Sequence, residues 1–135
     1  MIRTFDEALI KRIITDPSIY PFVSDSSCPA AEDFEPPMHI VWLLVSESEG
    51  LWAFQPESNG TYRIHANLLP HGRGKRAMAS LKQAIRWMAK NTDCELITAF
   101  IDDDKPHVAM LARRAGFTFH GWRNGRQYFT KEAAA

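Results

Sequence analysis

Apolar residues recur at helical spacing in three stretches of the chain, and each stretch predicts an amphipathic helix. The first helix follows Thr4-Phe5-Asp6-Glu7, which fits a capping box, and it ends before Pro17. The longest helix runs from Gly72 to about Asn91, and the third runs from Lys105 to Ala115. The apolar positions are Leu9, Ile10, Ile13 and Ile14 in the first helix, Ala77, Met78, Leu81, Ala84, Ile85 and Met88 in the second, and Val108, Leu111, Ala112 and Ala115 in the third.

Runs rich in β-branched and aromatic residues predict strands in two groups. Three strands form a meander before the longest helix, and the Asn-Gly pair at 59–60 favours a hairpin turn with positive φ at both residues. One buried strand separates the two later helices, and a final hairpin turns at the second Asn-Gly pair, 124–125. The predicted strands are His39–Val45, Leu51–Phe54, Tyr62–Leu69, Cys94–Ile101, Phe117–Trp122 and Gln127–Thr130.

The order of these elements predicts an α+β fold with a mixed central sheet. An antiparallel meander is followed by a β-α-β crossover, which joins two parallel strands with a right-handed connection, and a hairpin ends the chain. Ligands favour the point where such a sheet changes direction, at the carboxyl ends of its strands. The segment from Ser18 to Pro37 is rich in Pro, Ser, Asp and Glu, and we expect an irregular, lid-like segment pinned by Tyr20, Phe22 and Phe34.

Composition limits the classes of protein to which the chain can belong. Its 135 residues suit one domain, 1–135, and 16 basic residues balance 16 acidic ones. This balance gives no overall attraction to nucleic acid or to an anionic membrane. The two cysteines lie in no metal-ligand spacing, and no apolar leader or membrane span is present, so we expect a soluble cytoplasmic protein with no metal. The terminal residues 131–135 are predicted to fray.

The turn before the longest helix, from Leu68 to Ala77, is the most informative stretch. A strand ends at Pro70, a turn with Gly72 and Gly74 carries basic residues, and a helix begins. Unpaired N–H groups and the positive end of a helix dipole then converge on one place, which favours a diphosphate. A solvated connection with no ligand is the alternative interpretation.

Two motifs in this region resemble the GNAT family of N-acetyltransferases. Pro70-x-x-Arg73-Gly74-Lys75 resembles the family's motif A (region 62–91), and the stretch from Leu111 to Gly116-Phe117 resembles motif B (region 105–117). The hairpin with Gly121-Trp122 looks like the family's last two strands. Ile64-His65, Leu69-Pro70 and Arg73-Gly74-Lys75 together resemble small acetyltransferase-like proteins of tailed bacteriophages. Under that resemblance the protein would act in the host cytoplasm or in the virion.

The resemblance implies a GNAT fold, acetyl-CoA as the acyl donor and direct attack by a substrate amine. Pantetheine would enter a splay between the two central strands, and the Leu68 amide would polarise the thioester carbonyl. His65, on the strand before the turn, is the candidate general base, with a structural strand histidine as the alternative. The implied cofactor-binding residues are Leu68, Leu69, Arg73, Gly74, Lys75, Arg76, Ala77 and Met78.

The chain departs from the family at four positions, one of which is Lys105, where the family often has an asparagine that opens the motif B helix. Arg76 and Met78 stand where motif A has small residues, and Ala112 stands where motif B often has a tyrosine that acts as general acid. A second hypothesis is therefore a catalytically degenerate GNAT-fold module that contacts other proteins, such as phage structural proteins. Asp102-Asp103-Asp104 is interpreted as a helix-capping turn and not as a metal site.

Overall fold

The computed structural model describes residues 1–24 and 27–134. Within them, seven strands form one sheet and four helices pack against it. The strands are β1 (Ile2–Arg3), β2 (Val41–Ser46), β3 (Gly50–Ser58), β4 (Thr61–Leu68), β5 (Leu96–Ile101), β6 (Thr118–Arg123) and β7 (Arg126–Glu132). The helices are α1 (Glu7–Ile14), α2 (Tyr20–Val23), α3 (Lys75–Asn91) and α4 (Pro106–Arg114).

The order of strands across the sheet is β1-β2-β3-β4-β5-β7-β6. Neighbouring strands are antiparallel except for β4 and β5, which are parallel and are joined through α3. The predicted α+β fold with a mixed sheet is confirmed. Strand β1 was not predicted, because two residues are too few to show a strand's alternation.

Each face of the sheet carries its own hydrophobic core. On the helix face, the core between the sheet and the helices α3 and α4 buries Leu43, Phe54, Met88, Ile97 and Phe129 almost completely. On the opposite face, called the α1 face below, Ile10 and Ile13 of α1 share a core with Leu51 of β3. Residues of β4 alternate between the two faces, so that Tyr62, Ile64 and Leu68 join the helix face.

Two turn predictions were wrong in detail. Asp6, and not Thr4, caps α1, since the Asp6 carboxylate accepts a hydrogen bond from the Leu9 amide at 3.1 Å. The Thr4 amide instead donates to the Trp42 carbonyl at 2.9 Å, which continues the pairing of β1 and β2. At the first Asn-Gly pair only Gly60 has positive φ, beside a register shift in β3, whereas Asn124 and Gly125 both have it.

Two segments are more regular than expected. The lid-like segment contains α2 and a 3-10 turn at Ala31–Asp33, and Tyr20 and Phe34 meet edge to face at 5.8 Å; its positions 25 and 26 lie outside the described residues. The predicted fraying is wrong for the carboxyl end, because β7 extends to Glu132 and the Ala133 amide donates to the Glu95 carbonyl. Position 135 lies outside the described residues. No helix in the described chain has the length and apolarity needed to cross a membrane.

Candidate functional site

The parallel strands β4 and β5 are paired over only three residues of each strand. Their last paired residues are Arg63 and Thr98. Beyond that point β4 continues to pair with β3 as far as Leu68, and β5 continues to pair with β7 as far as Ile101. A cavity of about 510 Å³ is lined by residues of both strands, so the sheet has an opening at its centre.

Main-chain groups of β4 point into this opening. The Leu69 amide donates to the Glu49 carbonyl at 3.0 Å, which makes Leu68 and Gly50 a non-hydrogen-bonded pair of the antiparallel ladder. The N–H and C=O groups of Leu68 therefore face away from β3, toward the side that β5 has left. The same alternation turns the main-chain groups of Ala66 into the opening.

The turn between β4 and α3 leaves the start of the helix open. Gly72 is buried against the turn between β2 and β3, and a Cβ there would clash with the Glu49 carbonyl oxygen. Gly74 caps α3 with a φ of 70° and a ψ of −134°, and no atom lies within 4 Å of the place its Cβ would occupy. No side chain caps this helix, and no described group accepts from the amides of Gly74, Lys75 and Arg76. These three donors, at the positive end of a 17-residue helix, form a site for an anion.

Two of the basic side chains at the turn contact other protein groups, and the third is exposed. The Arg73 guanidinium donates to the Leu68 carbonyl at 3.0 Å and to the Ser18 carbonyl at 2.7 Å, so it links the turn to the segment before α2. Arg76 forms an ion pair with Glu49 at 2.8 Å. Lys75 is exposed at the first turn of α3.

The remaining predicted cofactor-binding residues lie around the turn. Ala77 is buried in the helix-face core and Met78 is half-buried. The amides of Arg73 and Ala77 already donate within the turn, to Pro70 and Gly74 respectively. Leu69 packs against the α1-face core.

His65 lies on the α1 face of β4 and opens onto the cavity. Its Nε2 is 3.2 Å from the Gln55 Oε1 atom on β3. Enough protein surrounds the imidazole that desolvation lowers its pKa below the ordinary 6.5, and the charge of Arg63 lowers it further, against a smaller opposing effect of Glu57. The imidazole is therefore neutral at pH 7, as a general base must be.

Two groups of cavity residues were missed in the sequence. Asn67 is buried and lines the cavity two positions after His65, hence on the same face of β4, and strand alternation could have identified it. Asp102 lines the cavity at the end of β5, where it pairs with Arg126 at 3.1 Å and with Lys105 at 3.8 Å. Arg126 comes from β7, and no local pattern indicates that contact.

The α4 side of the cavity holds no acid in the expected place. Ala112 is buried there and lines the cavity. Tyr20 is the one tyrosine among the described lining residues, and its hydroxyl already donates to the Pro29 carbonyl. The described residues contain no group of three or more His, Cys, Asp or Glu side chains that could hold a metal ion.

Solved structures of N-acetyltransferases are similar to this chain. Spermidine N-acetyltransferase of Vibrio cholerae in complex with CoA and spermine is 16% identical, with a TM-score of 0.55 over 64% of this chain and 59% of that chain. A dodecameric structure of the same enzyme is also 16% identical, with a TM-score of 0.55 over 64% of this chain and 58% of that one. N-acetyltransferase PseH of Campylobacter jejuni in complex with acetyl coenzyme A is 12% identical, with a TM-score of 0.56 over 62% of this chain and 59% of that chain.

These alignments span about three fifths of each solved structure, and their low identities establish the fold alone. No family model matches the sequence, and the comparison with curated proteins found no match. The mixed sheet of the described residues, with its parallel β4–β5 pair, fits the GNAT fold of these solved structures. The chain has the GNAT fold.

Proposed function

We propose that this protein is an N-acetyltransferase that moves an acetyl group from acetyl-CoA to an amine. One observation carries the proposal: β4, which borders the opening, leads through the turn at 69–74 directly to the uncapped start of α3. The opening can receive an extended chain, and the helix start can receive the diphosphate to which that chain is attached. CoA combines these two parts.

The chain's own groups fit CoA. The amides of Gly74, Lys75 and Arg76 supply three donors to a pyrophosphate, and Lys75 adds a positive charge. The open space around Gly74 lets a phosphate approach the main chain. Bound in this way, acetyl-CoA supplies a thioester whose carbonyl carbon accepts a nucleophile.

Two residues of β4 then serve the transfer. The Leu68 N–H, which faces the opening, donates to the thioester carbonyl oxygen as negative charge grows on it. His65, neutral at pH 7, takes the proton of the attacking amine. The amine nitrogen forms a C–N bond to the acetyl carbon as the C–S bond breaks. The departing thiolate takes its proton from solvent, because Ala112 cannot provide one.

The solved structures support this proposal through what they bind. The Vibrio cholerae enzyme was solved with CoA and spermine, and PseH was solved with acetyl coenzyme A. Acetyl transfer to some amine is thus consistent with the fold. A phage origin and a place in the virion stay predictions of the sequence resemblance.

Isothermal titration with acetyl-CoA and with CoA tests the proposal. We expect binding of both at micromolar concentrations, and thiol release from acetyl-CoA when a suitable amine is added. No binding of either at millimolar concentrations would contradict the proposal. Lys82→Glu, two turns along α3 from the proposed phosphate site, is a control that should keep wild-type binding.

The second hypothesis, a degenerate module that contacts other proteins, has its own support. Ala112 replaces the acid expected in motif B, and the Arg73 and Arg76 side chains are held by protein groups. This hypothesis predicts stable association with a partner chain and no acetyl transfer. Under this hypothesis Arg73→Ala would leave such an association intact. His65→Ala would change no activity, because the wild-type protein would have none.

A further inference from the structure

The α1-face half of the cavity has a wall made of aromatic rings. Tyr20, Phe22, Phe34 and Trp42 all line it. The Trp42 indole N–H donates to the Pro37 carbonyl at 3.0 Å, and the Tyr20 hydroxyl donates to the Pro29 carbonyl. Since these two polar groups are already satisfied by the protein, the wall presents ring surface and not hydrogen-bonding groups.

The charges at this end of the cavity are already paired. Asp102 is the one carboxylate among the described lining residues, and it is bound by Arg126 and Lys105. Glu57, on the neighbouring strand, pairs with Arg63 at 2.8 Å. Among the described lining residues, the two cations Lys105 and Arg126 therefore face one carboxylate, that of Asp102. A ligand with a second ammonium group would meet no unpaired carboxylate among these lining residues and a surplus of positive charge.

The polar groups that remain available lie on β4. His65 and Asn67 both line the cavity from the α1 face, and no described residue forms a hydrogen bond with the Asn67 side chain. One amine can therefore be positioned by the Asn67 amide oxygen while His65 takes its proton. The rest of the ligand lies against the aromatic wall.

Resting on the proposed function, we propose that the acceptor is a primary monoamine on an apolar, ring-sized body, and that polyamines are poor acceptors. The apolar body gains free energy by leaving water for the wall. The electropositive surroundings also favour the neutral form of a bound amine, which is the form that attacks. This acceptor class differs from the spermine bound by the Vibrio cholerae enzyme.

The test compares 2-phenylethylamine with putrescine and spermidine. Binding of each amine is titrated by calorimetry with and without saturating CoA, and acetyl transfer is followed by thiol release. We expect 2-phenylethylamine to bind at least tenfold more tightly, and to have at least tenfold higher kcat/KM, than either polyamine. Equal or tighter binding of putrescine or spermidine would overturn the inference, as would no binding of 2-phenylethylamine under either condition.

A charge placed on the wall sharpens the test. Phe22 is 66% exposed at the edge of the cavity, so Phe22→Glu should fold, and it adds the carboxylate that the wall lacks. We expect this variant to bind 2-phenylethylamine more weakly and putrescine more tightly than the wild type does. The ratio of the two dissociation constants should therefore change about tenfold. Phe5→Glu is the matched control, since Phe5 is also 66% exposed but does not line the cavity. An unchanged ratio in Phe22→Glu would contradict the placement of the amine on this wall.

These outcomes separate the inference from the proposed function. Failure to bind CoA would contradict the acetyltransferase proposal, while the titrations without CoA would still report which amine the cavity prefers. Binding of CoA together with a preference for polyamines would overturn the acceptor class alone.

Discussion

The two parallel strands each lead into a helix, and the two junctions differ in what they can bind. At the first junction, from Leu68 to Lys75, three helix amides have no acceptor among the described groups, and Gly74 keeps the space in front of them open. At the second junction, from Ile101 to Pro106, the Lys105 amide already donates to the Asp102 carbonyl, and Pro106 has no N–H.

The charges of the two junctions also differ. Lys75 and Arg76 begin α3, whereas Asp102, Asp103 and Asp104 precede α4. A helix start attracts an anion only when its amides are free and the nearby side chains do not repel it. The comparison shows that a strand-to-helix junction at the end of a parallel strand is not by itself an anion-binding site. Its turn residues decide whether it becomes one.

The largest expected effect comes from His65, which stands before the first junction. His65→Gln should lower kcat by about a hundredfold or more, because the attacking amine loses its base. Steady-state thiol release measures this, and calorimetry should show an unchanged CoA affinity. His107→Gln, in the first turn of α4, is the matched control and should stay within about twofold of wild type. Equal losses in the two variants would remove the functional distinction between the junctions.

A charge reversal at Lys75 tests the anion site itself. Lys75→Glu should weaken the binding of CoA about tenfold, since an attraction near the phosphates becomes a repulsion. Its thermal stability should be unchanged or slightly higher, because a carboxylate in the first turn suits the helix dipole. Lys82→Glu makes the same charge change about 10 Å along the helix, where salt screens it. Equal weakening by both variants would point to overall charge and not to the junction.

The pH dependence follows from the environment of His65. Desolvation by the surrounding protein, and then the charge of Arg63, hold its pKa below 6.5, which favours the neutral base at pH 7. At saturating amine, kcat should fall as the pH drops below 6.5, through this lowered pKa. The folded state should also lose stability there, because the unfolded chain takes up the proton more readily. A decline of kcat that begins above pH 6.5 would contradict this environment of His65. His65→Gln should lose this acidic limb.

The smallest effect is expected at the second junction. Asp104→Lys should change CoA affinity less than twofold, because this helix start does not contact the ligand. It should lower stability by about 0.5 kcal/mol, since it removes a negative charge near the start of α4 and adds a positive one. Chemical denaturation and calorimetry measure the two quantities. A gain in CoA affinity would show that the second junction can also attract the phosphates.

Much of this arrangement could be predicted from local sequence. Periodicity identified α1, α3 and α4, and Pro70 with Gly72 and Gly74 marked the first junction. Alternation along β4 placed His65 on a strand face, and the same reasoning would have added Asn67.

The parts that were missed depend on contacts between distant residues. Arg73 binds the Ser18 carbonyl, and Arg126 reaches Asp102 from another strand. The place where β4 and β5 separate depends on pairing with β3 and β7, which a single strand's sequence does not encode. Thr4 fits a helix cap by pattern, but pairing of its amide with β2 holds it outside the helix.

The position of β7 between β5 and β6 has a consequence for how the sheet is completed. β5 pairs with β4 over only three residues, and its other edge pairs with β7 along all six. During synthesis β5 is followed by α4 and β6, so its longer edge stays uncovered until β7 has emerged. Contacts so far apart in sequence form slowly, and an uncovered strand edge can pair with other chains in the meantime. The separation of β4 from β5 thus leaves β7 as the strand that secures the centre of the sheet.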